Sequence, residues 1–146
     1  PHVSLPKARI ASSVAAPLYS SQPSRLVQAV AATIEFMSRH LHESLDVRTL
    51  AAQANLSPSH YSALFKRQTG YAPINYFTRL RMHRVCQLLE DCQHSIKTIA
   101  AMFGYDDPMY FSRVFKQVNE VSPSEYRQRK QLLTDPRNAP HRVGRK

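Results

Sequence analysis

The sequence predicts an all-α protein in which two helix-turn-helix subdomains are joined by a long connecting helix, with about seven helices in total. Apolar residues recur at helical spacing in the longer segments, and one segment of the chain is repeated. The stretch that begins at Leu45 returns at His94, an offset of 49 residues that grows to 50 by Phe65 and Phe115. Because a fixed offset marks a duplicated supersecondary unit, we expect the two copies to fold alike.

The composition bounds the size and the partner of the protein. With 146 residues, the chain fits one domain or two small domains that share a helix. A formal net charge of +10 favours a polyanionic partner: DNA, RNA or an anionic membrane surface. No apolar run approaches the roughly 20 residues of a membrane-spanning helix, so we expect no membrane partner. Cys86 and Cys92 lack zinc-type spacing and are interpreted as ordinary intracellular thiols.

The two ends of the chain differ in composition from its centre. Residues 1–23 are rich in Ser, Ala and Pro and contain no acidic residue, which is typical of a flexible linker or N-terminal extension. Residues 134–146 are basic and contain two prolines, which predicts a disordered tail. The helical domain is therefore predicted to span residues 24–133.

The first helix-turn-helix is predicted over residues 45–71, after a supporting helix that begins behind Ser24 and reaches about Leu41. Asp46 is placed to cap a short helix that reaches about residue 54. Asn55 stands where the chain must turn left-handed. Ser57, followed by a proline, is placed to cap the second helix.

The rest of the domain repeats this pattern. A connecting helix is predicted over residues 73–90, with a length of about 25 Å at 1.5 Å per residue. The second helix-turn-helix spans residues 95–121: Ser95 caps its first helix, Gly104 makes the turn, and Asp107 precedes the second helix. A final helix follows over residues 122–133. In the second helix of each unit, aromatic residues at helical spacing predict the core, and these are Tyr61, Phe65, Phe111 and Phe115.

The stretch IAAMFGYDDPMYFSRVFKQVNEVSPSEYR, from Ile99 to Arg127, resembles the signature of the AraC/XylS family of bacterial transcription regulators. The resemblance lies in the C-terminal DNA-binding region of that family and covers about residues 25–130. It is supported by the first unit and by Arg81, which stands where relatives commonly have Arg. The sequence departs from the pattern at Glu120, where many relatives have Gly, and at Val85, where a small Ala is usual.

The resemblance implies sequence-specific binding of double-stranded DNA at an operator or promoter, with both second helices inserted into successive major grooves. It also implies an effector-binding or dimerisation domain upstream in the full-length regulator. A cytoplasmic, nucleoid-associated location is expected, and RNA polymerase is a candidate partner.

The outward face of each second helix supplies the residues that could read DNA. Arg113 is expected to be the main specific reader, because an arginine can make a bidentate contact to guanine. The other base-reading candidates are Ser112 and Met109 in the second copy, and Ser59, His60, Ser62, Ala63 and Arg67 in the first. The candidates for phosphate contacts are Lys66, Arg79, Arg81, Tyr110, Lys116 and Arg127. Because the first copy carries shorter side chains, its readout is predicted to be looser.

Two alternatives remain open from the residues. One repeat could dock on RNA polymerase or another protein while only the other repeat reads DNA. The basic tails could instead bind RNA or other polyanions without sequence preference. Catalysis and metal or cofactor binding are not expected: the seven histidines lack ligand spacing, and no nucleophile elbow or glycine-rich phosphate loop is present.

Overall fold

The computed structural model describes residues 24–138. Within this range the regular structure is helical, without a strand. The helices are α1 (Arg25–Arg39), α2 (Val47–Gln53), α3 (Pro58–Thr69), α4 (Pro73–Asp91), α5 (Ile96–Met102), α6 (Pro108–Asn119) and α7 (Pro123–Thr134), followed by a 3-10 turn at Pro136–Asn138. The all-α prediction with two helix-turn-helix units is confirmed. The predicted linker, residues 1–23, and most of the predicted tail lie outside the described residues.

The described chain divides into two compact units whose boundary falls inside α4, between His83 and Arg84. The first unit contains α1, α2, α3 and the first part of α4. The second contains the remainder of α4 with α5, α6 and α7. Each unit therefore holds one helix-turn-helix pair, α2 with α3 or α5 with α6, between an earlier and a later helix.

The predicted caps explain where the short helices begin and where the chain turns. The side chains of Asp46 and Ser95 accept the backbone N–H of the residue three positions later, at 2.8 and 3.0 Å. This backbone bond holds the pKa of Asp46 below its ordinary value. Asn55 and Gly104 have φ values of 59° and 81°, the left-handed conformation that the turn requires. The same local signals thus produce the same bend in both units.

The core of the first unit is built on aromatic side chains from α3 and α4. Phe65 is fully buried, and its ring meets that of Tyr76 edge-on at 5.3 Å. Tyr61 is also fully buried, and its hydroxyl donates to Thr33 Oγ1 at 2.8 Å. Thr33 in turn donates to the Val30 carbonyl, so this buried polar chain ends on the backbone of α1. Burial raises the pKa of Tyr61 to about 12, although the contact with the Thr33 hydroxyl lowers it in part.

The second unit repeats this aromatic core with different partners. Phe111 and Phe115 on α6 are fully buried, and Phe115 meets Tyr126 edge-on at 5.8 Å. The Tyr126 hydroxyl donates to Glu90 Oε2 at 2.8 Å. Burial and this contact with a carboxylate raise the pKa of Tyr126. The burial predicted for the four aromatic residues of the second helices is confirmed in both units.

Two helix ends differ from the predicted ones. Helix α1 stops at Arg39 rather than near Leu41, because His40 leaves the helical conformation at φ −129° and its N–H bonds to the Met37 carbonyl. At the other end of the domain, α7 ends at Thr134 rather than at residue 133, and the 3-10 turn follows it. There Asp135 accepts the backbone N–H and the guanidinium of Arg137 at 2.9 to 3.1 Å.

Candidate nucleic-acid interface

The two second helices, α3 and α6, begin in the same way and present their first turns to solvent. Ser57 Oγ accepts the His60 N–H at 3.2 Å, and Asp107 Oδ1 accepts the Met109 N–H at 2.9 Å. A proline occupies the first helical position in both, where its missing N–H has no intrahelical partner to lose. The caps therefore fix the start of each helix, where residues 58–60 and 108–110 are exposed.

The outer face of helix α6 carries long side chains. Met109 is 69% exposed and Tyr110 51% exposed, whereas Arg113 and Lys116 are exposed one and two turns further on. Ser112 is only half-buried between this face and the core. Side chains of this face line a shallow cleft of about 530 Å³, formed by Tyr110, Arg113, Val114, Lys116 and Gln117. The predicted readers of the second copy therefore share one solvent-accessible face.

The outer face of helix α3 carries shorter side chains at its N-terminal end. Ser59, His60 and Ala63 are exposed, and Ser62 is half-buried. Lys66 and Arg67, which are exposed, stand in the last turn of the helix. At the position of Arg113 in the second copy, the first copy has the short Ala63. The looser readout of the first copy stays a prediction, and the difference in side-chain length supports it.

The cations on the two outer faces are not neutralised by neighbouring acids. Within residues 24–138, ion pairs join Arg39 to Glu35, Arg129 to Glu125, Lys130 to Glu90, and Arg137 to Asp135. Lys66, Arg67, Arg113 and Lys116 take part in none of these described pairs. Their charges are consequently available to an anionic partner such as a phosphate backbone.

Two of the predicted phosphate contacts are bound within their own units. Arg81 Nε donates to the Leu41 carbonyl at 3.0 Å, in the segment ahead of α2. Arg127 Nε donates to the Leu89 carbonyl at 3.0 Å, and its Nη2 donates to the His94 carbonyl at 2.7 Å. Each arginine thus fastens the last helix of its unit to the segment that leads into the helix-turn-helix. Such internal bonds compete with a phosphate for the same donors.

Arg79 is held by an aromatic ring. Its guanidinium carbon lies 4.8 Å from the centroid of Tyr71, and the side chain is half-buried. The buried Arg79 Nε has no hydrogen-bond acceptor among the described residues. Stacking leaves the edge of a guanidinium free to donate, so its predicted phosphate contact stays compatible with the geometry.

The sequence did not indicate how the side chains near Arg113 are arranged. The guanidinium carbon of Arg113 lies 5.7 Å from the centroid of Tyr110, which in turn is 6.0 Å from Tyr105. The spacing of Tyr110 and Arg113, three residues apart on one helix, is the signal that could have revealed the first contact. The contact with Tyr105 depends on the turn between α5 and α6, where no spacing rule applies.

Within the described part of the chain, no helix is long and apolar enough to cross a membrane. The same residues contain no group of three or more His, Cys, Asp or Glu side chains that could hold a metal ion.

Comparison with known proteins points to one class. The family described as "Helix-turn-helix domain" matches residues 50–129. The MmsAB operon regulatory protein of Pseudomonas aeruginosa is 44% identical over 94 residues, which are 64% of this chain and 31% of that protein. The lactose operon transcription activator of Staphylococcus xylosus is 32% identical over 110 residues, which are 75% of this chain and 39% of that protein. The chain thus spans between three and four tenths of the length of these relatives.

A solved structure resembles the fold as well. The DNA-binding domain of AdpA, a global transcriptional factor crystallised in complex with a target DNA, superposes with a TM-score of 0.68 and 29% identity. The similarity covers 73% of this chain and 96% of that domain. Fold and outer faces together define a double helix-turn-helix domain of a transcription regulator. The chain belongs to the AraC family of bacterial transcription regulators, in which it corresponds to the C-terminal helix-turn-helix domain.

Proposed function

We propose that this domain binds double-stranded DNA in a sequence-specific manner, and that α3 and α6 insert into successive major grooves of one operator or promoter. The observation that carries the proposal is the pair of capped second helices with exposed cations on their outer faces, which form no ion pair among residues 24–138. A formal charge of +10 on the chain adds a long-range attraction for the phosphate backbone.

The division of labour between the side chains follows from their length and charge. Lys66, Arg67 and Lys116 lie in the later turns of α3 and α6, where a cation can neutralise phosphates and release counterions. Arg67, a base-reading candidate from the sequence, is therefore proposed as a phosphate contact. Arg113 lies closer to the N-terminal end of its helix, which is the part that meets base edges in helix-turn-helix proteins. Its forked guanidinium can donate to guanine O6 and N7 together.

The readout of the first copy is proposed to rest on shorter contacts. Ser59 and Ser62 can donate or accept one hydrogen bond each, and Ala63 can approach a thymine methyl group. His60 is the longer polar side chain in the first turn of α3. With few long donors, this copy should depend more strongly on water-mediated contacts and DNA shape.

The test begins with duplexes selected from a random pool, followed by footprinting of the best binder. Two protected half-sites about one helical turn apart are expected, and an insertion of 5 base pairs between them should abolish simultaneous protection. An insertion of 10 base pairs would keep both half-sites on one face of the duplex, and it separates a phase effect from a distance effect. Protection of a single half-site that ignores both insertions would contradict the two-groove proposal.

Two substitutions that each introduce a negative charge distinguish this proposal from docking of one repeat on RNA polymerase. Ala63→Glu places a carboxylate on the outer face of α3, where the residue is exposed and its replacement should leave the core intact. Ala32→Glu, on exposed α1 surface in the same unit, is the matched control. Loss of one half-site in Ala63→Glu alone supports two DNA readers. A footprint identical to that of the parent would favour the protein-docking alternative.

The wider assignments rest on the family resemblance. We propose a cytoplasmic location, association with the bacterial nucleoid, and contact with RNA polymerase by the full-length regulator. An effector-binding or dimerisation domain upstream of this one is also part of the proposal. Co-purification of the full-length regulator with RNA polymerase on promoter DNA, compared with the same DNA lacking the operator, would test the polymerase contact.

A further inference from the structure

We propose that Tyr110 is a positioning residue for Arg113: the tyrosine ring holds the guanidinium in place before DNA arrives, and Tyr105 fixes that ring from the side of the core. This inference rests on the proposed function, in which Arg113 reads a base. It changes the predicted part of Tyr110, from a hydroxyl that contacts phosphate to a ring that acts through its neighbour.

The arrangement begins at a rigid position in the turn between α5 and α6. Tyr105 follows Gly104, whose φ of 81° sets the direction of the chain. The backbone N–H of Tyr105 donates to the Ala100 carbonyl at 2.9 Å. Its ring lies 5.3 Å from that of Phe111, which is fully buried. Tyr105 is thus tied to the core by its backbone and by its side chain.

Tyr110 extends the arrangement to the surface. Its ring is 6.0 Å from that of Tyr105, with an angle of 42° between the planes, within the range of favourable aromatic pairs. The side chain is 51% exposed, so one side of the ring remains available. Three residues later on the same helix, Arg113 places its guanidinium carbon 5.7 Å from the Tyr110 centroid. Cation–π attraction acts at such distances.

Holding Arg113 in advance should matter for specificity, because a bidentate contact to guanine needs two N–H donors of the guanidinium in the plane of the base. An exposed arginine has many rotamers, and fixing them on binding opposes the association. Stacking on a ring restricts those rotamers while leaving the N–H edge free to donate. An exposed cation–π contact corresponds to about a 2- to 5-fold change in an equilibrium constant.

The first copy provides an internal comparison. At the turn the offset between the copies is still 49 residues, so Tyr105 corresponds to Leu56. In the second helices the offset is 50 residues, so Tyr110 and Arg113 correspond to His60 and Ala63. None of the three side chains is present in the first copy, where Leu56 occupies the place of Tyr105 and donates its N–H to the Ala51 carbonyl at 3.0 Å. The aromatic pair therefore accompanies the long reader in one copy and is missing where the reader is missing.

The experiment uses the duplex selected by the parent protein and a variant of it with a single guanine replaced at the position read by Arg113. Selectivity is the ratio of the two dissociation constants. Tyr110→Leu should lower this ratio by about 2- to 5-fold. Tyr110→Phe keeps the ring and should retain the ratio of the parent. In the Arg113→Ala background, Tyr110→Leu should leave the ratio unchanged, because the group that Tyr110 positions has been removed.

Three results would overturn the inference. One is a parental ratio in Tyr110→Leu, and another is an equal loss in Tyr110→Phe and Tyr110→Leu, which would assign the effect to the hydroxyl. The third is an equally large effect of Tyr110→Leu with and without Arg113. Since selectivity is a ratio of two dissociation constants, a general loss of folded protein cancels from it. Thermal unfolding of each variant shows whether the folded state itself has been destabilised.

The outcomes also separate this inference from the proposed function. If Arg113→Ala removes the preference at one base position while Tyr110→Leu does not, base reading by Arg113 is supported and the positioning role of Tyr110 is refuted. If the parent protein selects no duplex at all, both proposals fail together.

Discussion

Glu120 has a left-handed backbone, with φ of 70°, at the position where the first unit has Gly70 with φ of 89°. Both residues end the second helix of their unit, and each donates its N–H to the carbonyl of a lysine four residues earlier, at 2.7 and 2.8 Å. The two helices therefore end by the same geometry. A side chain with a Cβ disfavours that conformation, whereas glycine adopts it readily.

We expect Glu120→Gly to raise the free energy of unfolding by about 0.5–1 kcal/mol. The substitution relieves the strain of the left-handed conformation, and the greater entropy of the unfolded glycine chain offsets part of that gain. Gly70→Ala is the mirror experiment. A Cβ at Gly70 would meet nothing within 4 Å, so its expected loss of about 1 kcal/mol is conformational rather than steric. Urea denaturation measures both, and destabilisation by Glu120→Gly would show that its carboxylate has an unrecognised stabilising role.

Arg113→Ala should remove the preference for one base. A bidentate arginine–guanine contact contributes about 1–3 kcal/mol of discrimination, so the competing bases at that position should become nearly equivalent. Lys116→Ala, one turn further along the same exposed face, is the matched control. It should weaken all duplexes alike and lower the slope of log K against log salt by about 1. Equal losses on cognate and scrambled duplexes for Arg113→Ala would identify it as a phosphate contact.

Arg127 should matter for folding more than for contact with DNA. Arg127→Lys keeps the charge, but an ammonium cannot reproduce the forked bonds to the Leu89 and His94 carbonyls. We expect a loss of about 1.5–3 kcal/mol in unfolding free energy with an unchanged salt slope of binding. Arg67→Ala should behave in the opposite way, with stability nearly unchanged and a smaller slope. A reduced slope in Arg127→Ala, without loss of stability, would restore the predicted phosphate contact.

Tyr61 should make the first unit sensitive to alkali. Its pKa is about 12 in the folded protein, and an unfolded tyrosine titrates near 10. The stabilisation from the buried neutral phenol is therefore complete below pH 10 and is lost as the pH rises through 12. Tyr61→Phe should cost about 0.5–1.5 kcal/mol at pH 7, because the hydrogen bond to Thr33 is lost.

Above pH 10 the unfolding free energy of Tyr61→Phe should fall less steeply than that of the parent, so the gap between them narrows. Tyr110→Phe, which removes an exposed hydroxyl, is the control. Parallel pH profiles for Tyr61→Phe and the parent would refute the assignment of the alkaline loss to Tyr61.

Local chemistry explains why much of the fold could be predicted. Caps such as Ser57 and the left-handed turn residues Asn55 and Gly104 act within a few positions of the chain. Four aromatic residues of α3 and α6 follow the helical period and are buried as predicted, namely Tyr61, Phe65, Phe111 and Phe115. The short-range signal failed at the end of α1, where a single departure at His40 from helical geometry shortened the helix by two residues.

The candidate site was less predictable, because it depends on partners far away in sequence. The solvent-facing positions of Arg113 and Ala63 follow from the helical period, as does the exposure of Lys66. By contrast, the carbonyls that bind Arg81 and Arg127 lie 40 and 38 residues earlier. A positive charge is visible in the sequence, but whether it meets a carbonyl, a ring or solvent is decided by tertiary packing.

The bonding of Arg127 to carbonyls has one more consequence. Carbonyl oxygens satisfy its donors without cancelling its formal charge, and within residues 24–138 no acidic side chain forms an ion pair with it. Arg127 therefore holds the segment ahead of the helix-turn-helix and still contributes its positive charge to the electric field around the domain. A carboxylate partner would have weakened that field. Such fields accelerate encounters with oppositely charged polymers, most of all in dilute salt. The same guanidinium can thus secure the fold and hasten the arrival of a polyanion from a distance.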